Sequence, residues 1–156
     1  VVSFTKQKSE KNSNVEFVGS LSDLLIRSDI ITIHVPLNPS TKRMFTKKEF
    51  SICKKGALII NTSRGEIINE ADLIAYISKN HIGGAALDVV CDEYGLHKNA
   101  QSKIINFSKN DDRLIITPHI GGATYQSMSM TELFMAKKLL KFINKKNIQW
   151  EKFVLL

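Results

Sequence analysis

Three residues of complementary chemistry each follow a short apolar run in this sequence: Arg64, Glu93 and His119. An arginine keeps its charge at any ordinary pH, and its planar fork of N–H donors suits a carboxylate. A carboxylate beside an imidazole suits the holding and transfer of a proton. The three residues together predict a site that binds an acidic substrate and moves a proton.

The apolar runs are short and rich in valine and isoleucine, which predicts β-strands. We expect strands at Val1–Thr5, Ile30–Val35, Ala57–Asn61, Gly84–Val89 and Leu114–Thr117. Near-continuous apolar character is typical of parallel strands that are buried on both faces. Because the carboxyl ends of parallel strands meet at one edge of a sheet, the three polar residues are expected to lie along that edge.

Helical patterns lie between these runs. We expect helices at Leu21–Arg27, Lys47–Cys53, Glu70–Ser78 and Tyr125–Lys141. Ser20 and Thr46 are the expected N-caps of the first two, and Asn69 precedes the third. Tyr94–Asp112 is long and polar for a connection inside one domain. The alternation of strands and helices predicts an α/β fold with a doubly wound parallel sheet and right-handed crossovers.

The composition limits the classes of protein to consider. The chain has 156 residues, of which 43% are hydrophobic and 24% are charged, which is typical of one globular domain. Its net charge of +7 comes from scattered lysines, so a solvated surface is favoured over a nucleic-acid site. No run reaches the roughly 20 apolar residues that span a bilayer. Two cysteines, Cys53 and Cys91, suit a reducing compartment such as the cytoplasm. No metal site is predicted.

Three segments of the sequence resemble the D-isomer-specific 2-hydroxyacid dehydrogenases: NTSRGEIINEADLIAYI, HIGGAALDVVCDE and LIITPHIGGAT. The resemblance runs from about Val2 to about Leu140. It implies a Rossmann-like fold and hydride transfer between a nicotinamide and a small 2-keto or 2-hydroxy acid. It also implies that Arg64 binds the substrate carboxylate, that His119 is the general acid, and that Glu93 hydrogen-bonds the other imidazole nitrogen. Taken singly, the same residues are a helix-terminus cation, a loop histidine and a surface acid.

The resemblance implies a set of dinucleotide contacts at the strand ends: Thr5, Lys6, His34, Val35, Pro36, Thr62, Ser63, Arg64, Asp88, His119, Gly121 and Gly122. Asp88 is expected to meet the nicotinamide carboxamide, and His34 is more simply explained as an orienting residue at a strand end. A hydroxyl at Thr5 followed by Lys6 suits the 2′-phosphate of NADP, with NAD as the alternative. This pattern resembles the branch of glyoxylate and hydroxypyruvate reductases.

The sequence contains no G-x-G-x-x-G turn, which opens a dinucleotide-binding fold. The resemblance makes Val1–Thr5 the second strand of the fold, so that its usual neighbours lack the strand between them. We therefore expect a partial NAD(P)-binding domain over residues 1–142, with 143–156 returning to an absent substrate domain. The fragment alone is expected to be inactive, and the intact protein to be a homodimer. Two alternatives remain: a dinucleotide-binding corepressor like the C-terminal-binding proteins, and an inactive truncated relic.

Overall fold

The computed structural model describes residues 2–4, 15–93 and 102–146 of the chain. The chain divides into two compact units, Val1–His119 and Ile120–Leu156. Strands and helices alternate in the first unit, and the described part of the second contains a long helix. The expected division at residue 142 stays a prediction.

The strands of the first unit form two parallel sheets. They are β1 (Val2–Ser3), β2 (Glu16–Phe17), β3 (Ile30–Ile33), β4 (Ala57–Asn61), β5 (Ile82–Leu87) and β6 (Leu114–Ile116). β1 pairs with β2, and a separate sheet has the order β3-β4-β5-β6, with every pairing parallel. The predicted α/β fold with a parallel sheet and flanking helices is confirmed.

The helices begin where the sequence supplies a capping side chain. They are α1 (Leu21–Arg27), α2 (Lys47–Ile52), α3 (Glu70–Ser78), α4 (Lys103–Ser108) and α5 (Tyr125–Lys146). The side chains of Ser20 and Asn69 accept backbone N–H groups of α1 and α3, and Thr46 forms a capping box with Glu49 at the start of α2. α2 ends one residue earlier than predicted, and α5 runs five residues further. None of the helices in the described ranges is long and apolar enough to cross a membrane.

Burial of the four-stranded sheet differs from the prediction. Ile31 and Ile33 of β3 are each 3% exposed, whereas Ile30 is 59% exposed. Leu58 of β4 and Ile115 of β6 are likewise exposed at 43% and 61%. The core lies on one face of the sheet, where α1 to α4 contribute buried side chains. The prediction of burial on both faces was wrong. Both faces of these strands carry apolar residues, so the sequence does not reveal which face the helices cover.

Two glycines allow β5 to pack closely against the backbone of Gly56 and Arg113. A β-carbon on Gly83 would lie 2.4 Å from the carbonyl oxygen of Gly56, and one on Gly84 would lie 2.7 Å from that of Arg113. These glycines lie inside the strand, which begins at Ile82 and not at Gly84 as predicted. The close packing explains why residues with a low strand propensity stand in a central strand.

One β-strand and one α-helix were not predicted from the sequence. β2 has only two residues, and α4 has six within the stretch predicted as a polar connection. Ile104 of α4 is fully buried, so this short helix contributes to the core. Its polar surroundings gave no periodic apolar pattern long enough to indicate a helix.

Candidate active site

The predicted catalytic residues follow three strands that are neighbours in the sheet. Arg64 lies three residues after β4, Glu93 six residues after β5, and His119 three residues after β6. Hydrogen-bond pairing places β4 beside β5 and β5 beside β6, all parallel. The three loops therefore leave the same edge of the sheet, as the sequence predicted.

Glu93 and His119 form a direct contact across the ends of β5 and β6. Nδ1 of His119 lies 2.6 Å from Oε2 of Glu93, although 26 residues separate them in the chain. The backbone N–H of Val90 donates to the other oxygen, Oε1, at 3.1 Å. Both carboxylate oxygens are thus engaged, which fixes the plane of the carboxylate. With Nδ1 facing Glu93, Nε2 is the ring nitrogen that can exchange a proton with a ligand.

His119 adopts an uncommon backbone conformation. Its φ angle of +53° lies in the left-handed region, and its N–H donates to the carbonyl of Thr117 at 3.0 Å. Such a conformation in a non-glycine residue costs on the order of 1–3 kcal/mol and is concentrated at functional sites. In His119 this conformation accompanies the contact between the imidazole and the carboxylate of Glu93.

The turn that contains Arg64 is held by a buried asparagine. Asn61 is 0% exposed, its Nδ2 donates to the carbonyl of Arg64 at 2.9 Å, and its Oδ1 accepts the N–H of Ser63 at 3.0 Å. Ser63 Oγ donates to the carbonyl of Ile33 in β3 at 2.9 Å. The guanidinium of Arg64 is exposed and donates through Nη1 to the carbonyl of Ser63 at 2.6 Å. The backbone is fixed while the charged group remains accessible to a ligand.

The Arg64 turn packs directly on the Glu93 turn. A β-carbon on Gly65 would lie 2.1 Å from the carbonyl carbon of Val90 and 2.4 Å from the nitrogen of Cys91. Only a glycine allows this approach of the two backbones. The contact ties the loop after β4 to the loop after β5.

Asp88 and Thr117 form a second pair at the same edge. Asp88 is 8% exposed, and the hydroxyl of Thr117 donates to its Oδ1. The N–H of Asp88 donates to the carbonyl of Asn61 at 2.9 Å, and the N–H of Thr117 donates to that of Leu87 at 2.9 Å. These bonds extend the sheet beyond its strands and orient a nearly buried carboxylate.

A cleft of about 600 Å³ opens beside these pairs. Its lining includes Asp88, Glu93, Thr117 and His119, together with Ile105 of α4. The volume is within the range of small-molecule sites, which combine apolar walls with a few polar groups. Arg64 lies outside the lining of this cleft.

The remaining predicted cofactor residues have varied surroundings. His34 follows β3, is exposed, and its Nε2 lies 2.8 Å from Oγ1 of Thr32. Val35 is partly buried against the core, whereas Pro36 and Thr62 are exposed. Gly121 and Gly122 belong to the second unit and precede α5. Thr5 and Lys6 lie outside the described residues.

Burial raises the pKa of two groups near the site. Burial raises the pKa of Glu70, whose Oε1 accepts the N–H of Cys91 at 2.6 Å. Burial, and then the charges of Glu70 and Glu66, raise the pKa of Cys91 to about 12. A thiol that does not ionise near neutral pH is a poor nucleophile, which agrees with a Cys91 that takes no part in the chemistry.

Sequence reasoning missed three residues that shape the site: Asn61, Glu70 and Thr117. Asn61 ends an apolar run, where a polar residue is a signal of a strand-end contact. Thr117 stands beside Pro118 and His119 in a strand-end motif. For Glu70 the sequence offers only an acidic residue in the first turn of a helix, which is ordinary. Its contact with Cys91 depends on tertiary packing.

Comparison with known proteins shows what the chain is similar to. Residues 1–121 match the family described as "D-isomer specific 2-hydroxyacid dehydrogenase, NAD binding domain". D-3-phosphoglycerate dehydrogenase of Escherichia coli (strain K12) is 40% identical over 130 residues, which are 83% of this chain and 31% of that protein. D-3-phosphoglycerate dehydrogenase 1 of Saccharomyces cerevisiae is 37% identical over 142 residues, covering 83% of this chain and 29% of the yeast protein. The chain thus spans about a third of the length of these relatives.

Solved structures show the same similarity. The crystal structure of D-lactate dehydrogenase from Aquifex aeolicus, complexed with NAD and lactic acid, superposes with a TM-score of 0.75 at 28% identity. The match covers 92% of this chain and 46% of that one. D-mandelate dehydrogenase of Rhodotorula graminis matches at 27% identity with a TM-score of 0.72, over 84% of this chain and 37% of that one.

Proposed function

Because the chain belongs to the D-isomer-specific 2-hydroxyacid dehydrogenases and matches their NAD-binding domain, we propose that its protein transfers a hydride between a nicotinamide dinucleotide and a small 2-keto or 2-hydroxy acid. The observation that supports this most directly is the 2.6 Å contact between Glu93 and His119 at the carboxyl edge of the sheet. A carboxylate that holds Nδ1 of an imidazole leaves Nε2 available as a general acid or base.

The three catalytic residues have separate roles in this proposal. In the reducing direction, Nε2 of His119 gives its proton to the substrate carbonyl oxygen, and in the oxidising direction it takes the proton from the hydroxyl. Glu93 holds the tautomer and stabilises the protonated imidazole. The exposed fork of Arg64 binds the substrate carboxylate through two parallel hydrogen bonds.

The described residues fit the nicotinamide end of a dinucleotide. The nearly buried carboxylate of Asp88, oriented by Thr117, suits the amide N–H donors of a carboxamide. When bound, the dinucleotide supplies or accepts the hydride, while the protein supplies orientation and the proton. We assign the adenine and ribose to His34, Val35 and Pro36, the surroundings of the nicotinamide to Thr62 and Arg64, and the approach to its ring to Gly121 and Gly122. Ser63 is a further proposed contact to the dinucleotide.

The preference between the two dinucleotides depends on Thr5 and Lys6. A hydroxyl and a lysine at this position suit the 2′-phosphate of NADP, whereas a carboxylate would repel it. We therefore propose NADP over NAD. Replacing Thr5 with aspartate is expected to lower the ratio of NADPH to NADH efficiency about tenfold or more, because it adds a charge that repels the phosphate.

Thr5 and Lys6 also favour glyoxylate or hydroxypyruvate as the substrate. The relatives of the chain favour a second candidate. Two relatives that are 40% and 37% identical are named D-3-phosphoglycerate dehydrogenases. A panel of glyoxylate, hydroxypyruvate, 3-phosphohydroxypyruvate and pyruvate, each with NADH and NADPH, separates these candidates by kcat/KM. The protein for this assay is expressed from its complete gene.

His119→Gln tests the assigned chemistry. It is expected to lower kcat by about 10²–10⁴-fold, the usual contribution of a general acid. His81→Gln is the matched control, because His81 precedes β5 at the opposite end of the strand and bonds to the carbonyl of Cys53. That variant is expected to keep kcat within about twofold, which is less than 1 kcal/mol in barrier height. If the wild-type protein, saturated with either dinucleotide, turns over none of the four keto acids, the proposed reaction is refuted.

We further propose that the intact protein is a homodimer in the cytoplasm. Cys53 and Cys91 are both free in the structure, which suits a reducing compartment. Analytical ultracentrifugation of the complete protein tests the dimer, and imaging of a tagged copy tests the location.

A further inference from the structure

The position of the Glu93 carboxylate depends on the short turn that contains it, Val90–Glu93. The turn closes on itself, since the N–H of Val90 donates to Oε1 of Glu93 at 3.1 Å. Asp92 within it has a φ angle of +55°, in the left-handed region. A shift of this backbone therefore moves the carboxylate that holds His119.

A side chain from another element holds this turn. Glu70, in the first turn of α3, accepts the N–H of Cys91 through Oε1 at 2.6 Å. The length is that of a strong, charge-assisted hydrogen bond. The bond joins residues 21 positions apart, at the centre of the turn between Val90 and Glu93.

Helix capping does not account for the inward position of Glu70. The side chain of Asn69 already accepts the N–H of Asp72 at the start of α3. An acid in the first helical turn interacts favourably with the helix dipole even when it is exposed to water. Glu70 is instead turned inward, where burial raises its pKa and makes its charge costly. The Cys91 N–H partly compensates for this cost.

The same segment of chain contacts the turn at two further points. The absent β-carbon of Gly65 makes room for the carbonyl of Val90, and the Sγ of Cys91 lies 3.8 Å from the carbonyl of Ile68. Gly65 directly follows Arg64. The stretch from Gly65 to Glu70 therefore supports the Glu93 turn and is continuous with the residue proposed to bind the substrate carboxylate.

We propose that Glu70 is a positioning residue, which fixes the Cys91 backbone and thereby holds Glu93 at the imidazole of His119. Its catalytic consequence rests on the proposed function, since Glu93 and His119 are the proton-transfer pair there. Its geometric part, the dependence of the Glu93–His119 contact on Glu70, stands independently of the reaction.

The test compares three variants of Glu70 with a control on the same helix. Glu70→Ala removes the acceptor, Glu70→Asp keeps the charge but shortens the side chain, and Glu70→Gln keeps an acceptor at the same reach. Asp72→Ala is the control, because Asp72 lies in the same first turn and accepts the N–H of Lys47, at the start of α2, at 2.9 Å. Asp72→Ala thus removes the same kind of bond on the side of α3 that faces α2.

The first readout is the ring-nitrogen NMR spectrum of His119 in the complete protein, which reports the tautomer and the hydrogen bond at Nδ1. We expect Glu70→Ala and Glu70→Asp to shift the Nδ1 signal of His119. Glu70→Gln should leave this signal close to its wild-type position, and Asp72→Ala should leave it unchanged. An unchanged signal in folded Glu70→Ala, or an equal shift in Asp72→Ala, overturns the proposal. If Glu70→Ala does not fold, Glu70→Asp and amide hydrogen exchange of Cys91 in the wild-type protein decide. Exchange at the rate of an unprotected amide also overturns the proposal.

The second readout separates positioning from reaction. Glu70→Ala is expected to lower kcat about tenfold, a fraction of the contribution of a general acid, while KM for the dinucleotide changes less than about twofold. Wild-type kcat in a variant with a shifted His119 signal overturns the catalytic consequence. Absence of turnover in the wild-type protein refutes the proposed function instead, and the NMR and exchange results then still decide the geometric role of Glu70.

Discussion

Gly65 lies so close to Val90 that a β-carbon on the glycine would stand 2.1 Å from the carbonyl carbon of the valine. The neighbouring atom belongs to the backbone, so it cannot turn aside as a flexible side chain would. The loop with Arg64 and the loop with Glu93 are thus packed against each other at a point where neither has freedom to adjust.

Gly65→Ala is expected to destabilise the protein and to disturb the site. The added methyl group forces the two loops apart, and overpacking of this kind costs about 1–3 kcal/mol or more in the free energy of unfolding. Gly19→Ala is the control, because no heavy atom lies within 4 Å of a β-carbon there, and it should stay within about 0.5 kcal/mol of the wild type. Urea unfolding measures both. Equal stability of Gly65→Ala and Gly19→Ala would show that the loops separate without cost.

Asn61→Asp is expected to loosen the turn that contains Arg64. The aspartate can still accept the N–H of Ser63, but it places an acceptor against the Arg64 carbonyl, where Asn61 now donates at 2.9 Å. An unsatisfied buried group costs about 1–3 kcal/mol. Because the Arg64 backbone loses its hydrogen-bond donor, KM for the keto acid should rise more than KM for the dinucleotide.

Asn106→Asp provides the matched control for that substitution, since Asn106 is exposed on α4. Its free energy of unfolding and both KM values should stay close to those of the wild type. If Asn61→Asp raises the two KM values by the same factor, the loss is general and the role of Asn61 at Arg64 is refuted.

Local signals in the sequence were sufficient for much of the fold. β4 was predicted to the residue because its apolar run is bounded by Gly56 and Thr62, and α3 because Asn69 marks its start. Burial of one face of β3 was not predictable, since Ile30 and Ile31 read alike until the helices are in place. Such information is held in tertiary packing and not in local pattern.

The candidate site, like the fold, was predictable from the sequence only in part. The contact between Glu93 and His119 was predicted because both residues stand in motifs with a family resemblance. The supporting contacts of Asn61 and Glu70 were not predicted, because each depends on which backbone group another segment brings near. The assignments of Thr5 and Lys6 stay predictions.

The two cysteines are expected to react slowly with a disulfide reagent. The pKa of Cys91 is raised to about 12, and burial raises that of Cys53 to about 11. At pH 8, a rise of the thiol pKa from 9 to 12 lowers the thiolate fraction roughly a thousandfold. The thiolate with the higher pKa is also more nucleophilic, so the expected slowing of the reaction at Cys91 is roughly thirtyfold. Ellman's reagent, with and without urea, measures this. Reaction of Cys91 in the folded protein at the rate seen in urea would contradict the expectation.

The stability of the protein is expected to depend on pH through Glu70. Burial raises the pKa of this carboxyl above 4.5, so the folded protein binds the proton more tightly than the unfolded chain. The contribution of Glu70 is therefore fully present below pH 4.5 and declines as the pH rises through its folded pKa. Glu70→Gln cannot ionise, so its stability relative to the wild type should be higher at pH 7 than at pH 4.

Glu16→Gln should show the opposite sign. The hydrogen bond and charge of Arg27 lower the pKa of Glu16, so its stabilising contribution is present above pH 4.5 and is lost as the pH falls. The pair is exposed, so the effect should be small and should weaken in high salt. Urea unfolding of both variants at pH 4 and pH 7, in low and high salt, measures the two differences. If the two variants change with pH in the same direction, the inward position of Glu70 does not impose the cost that its burial implies.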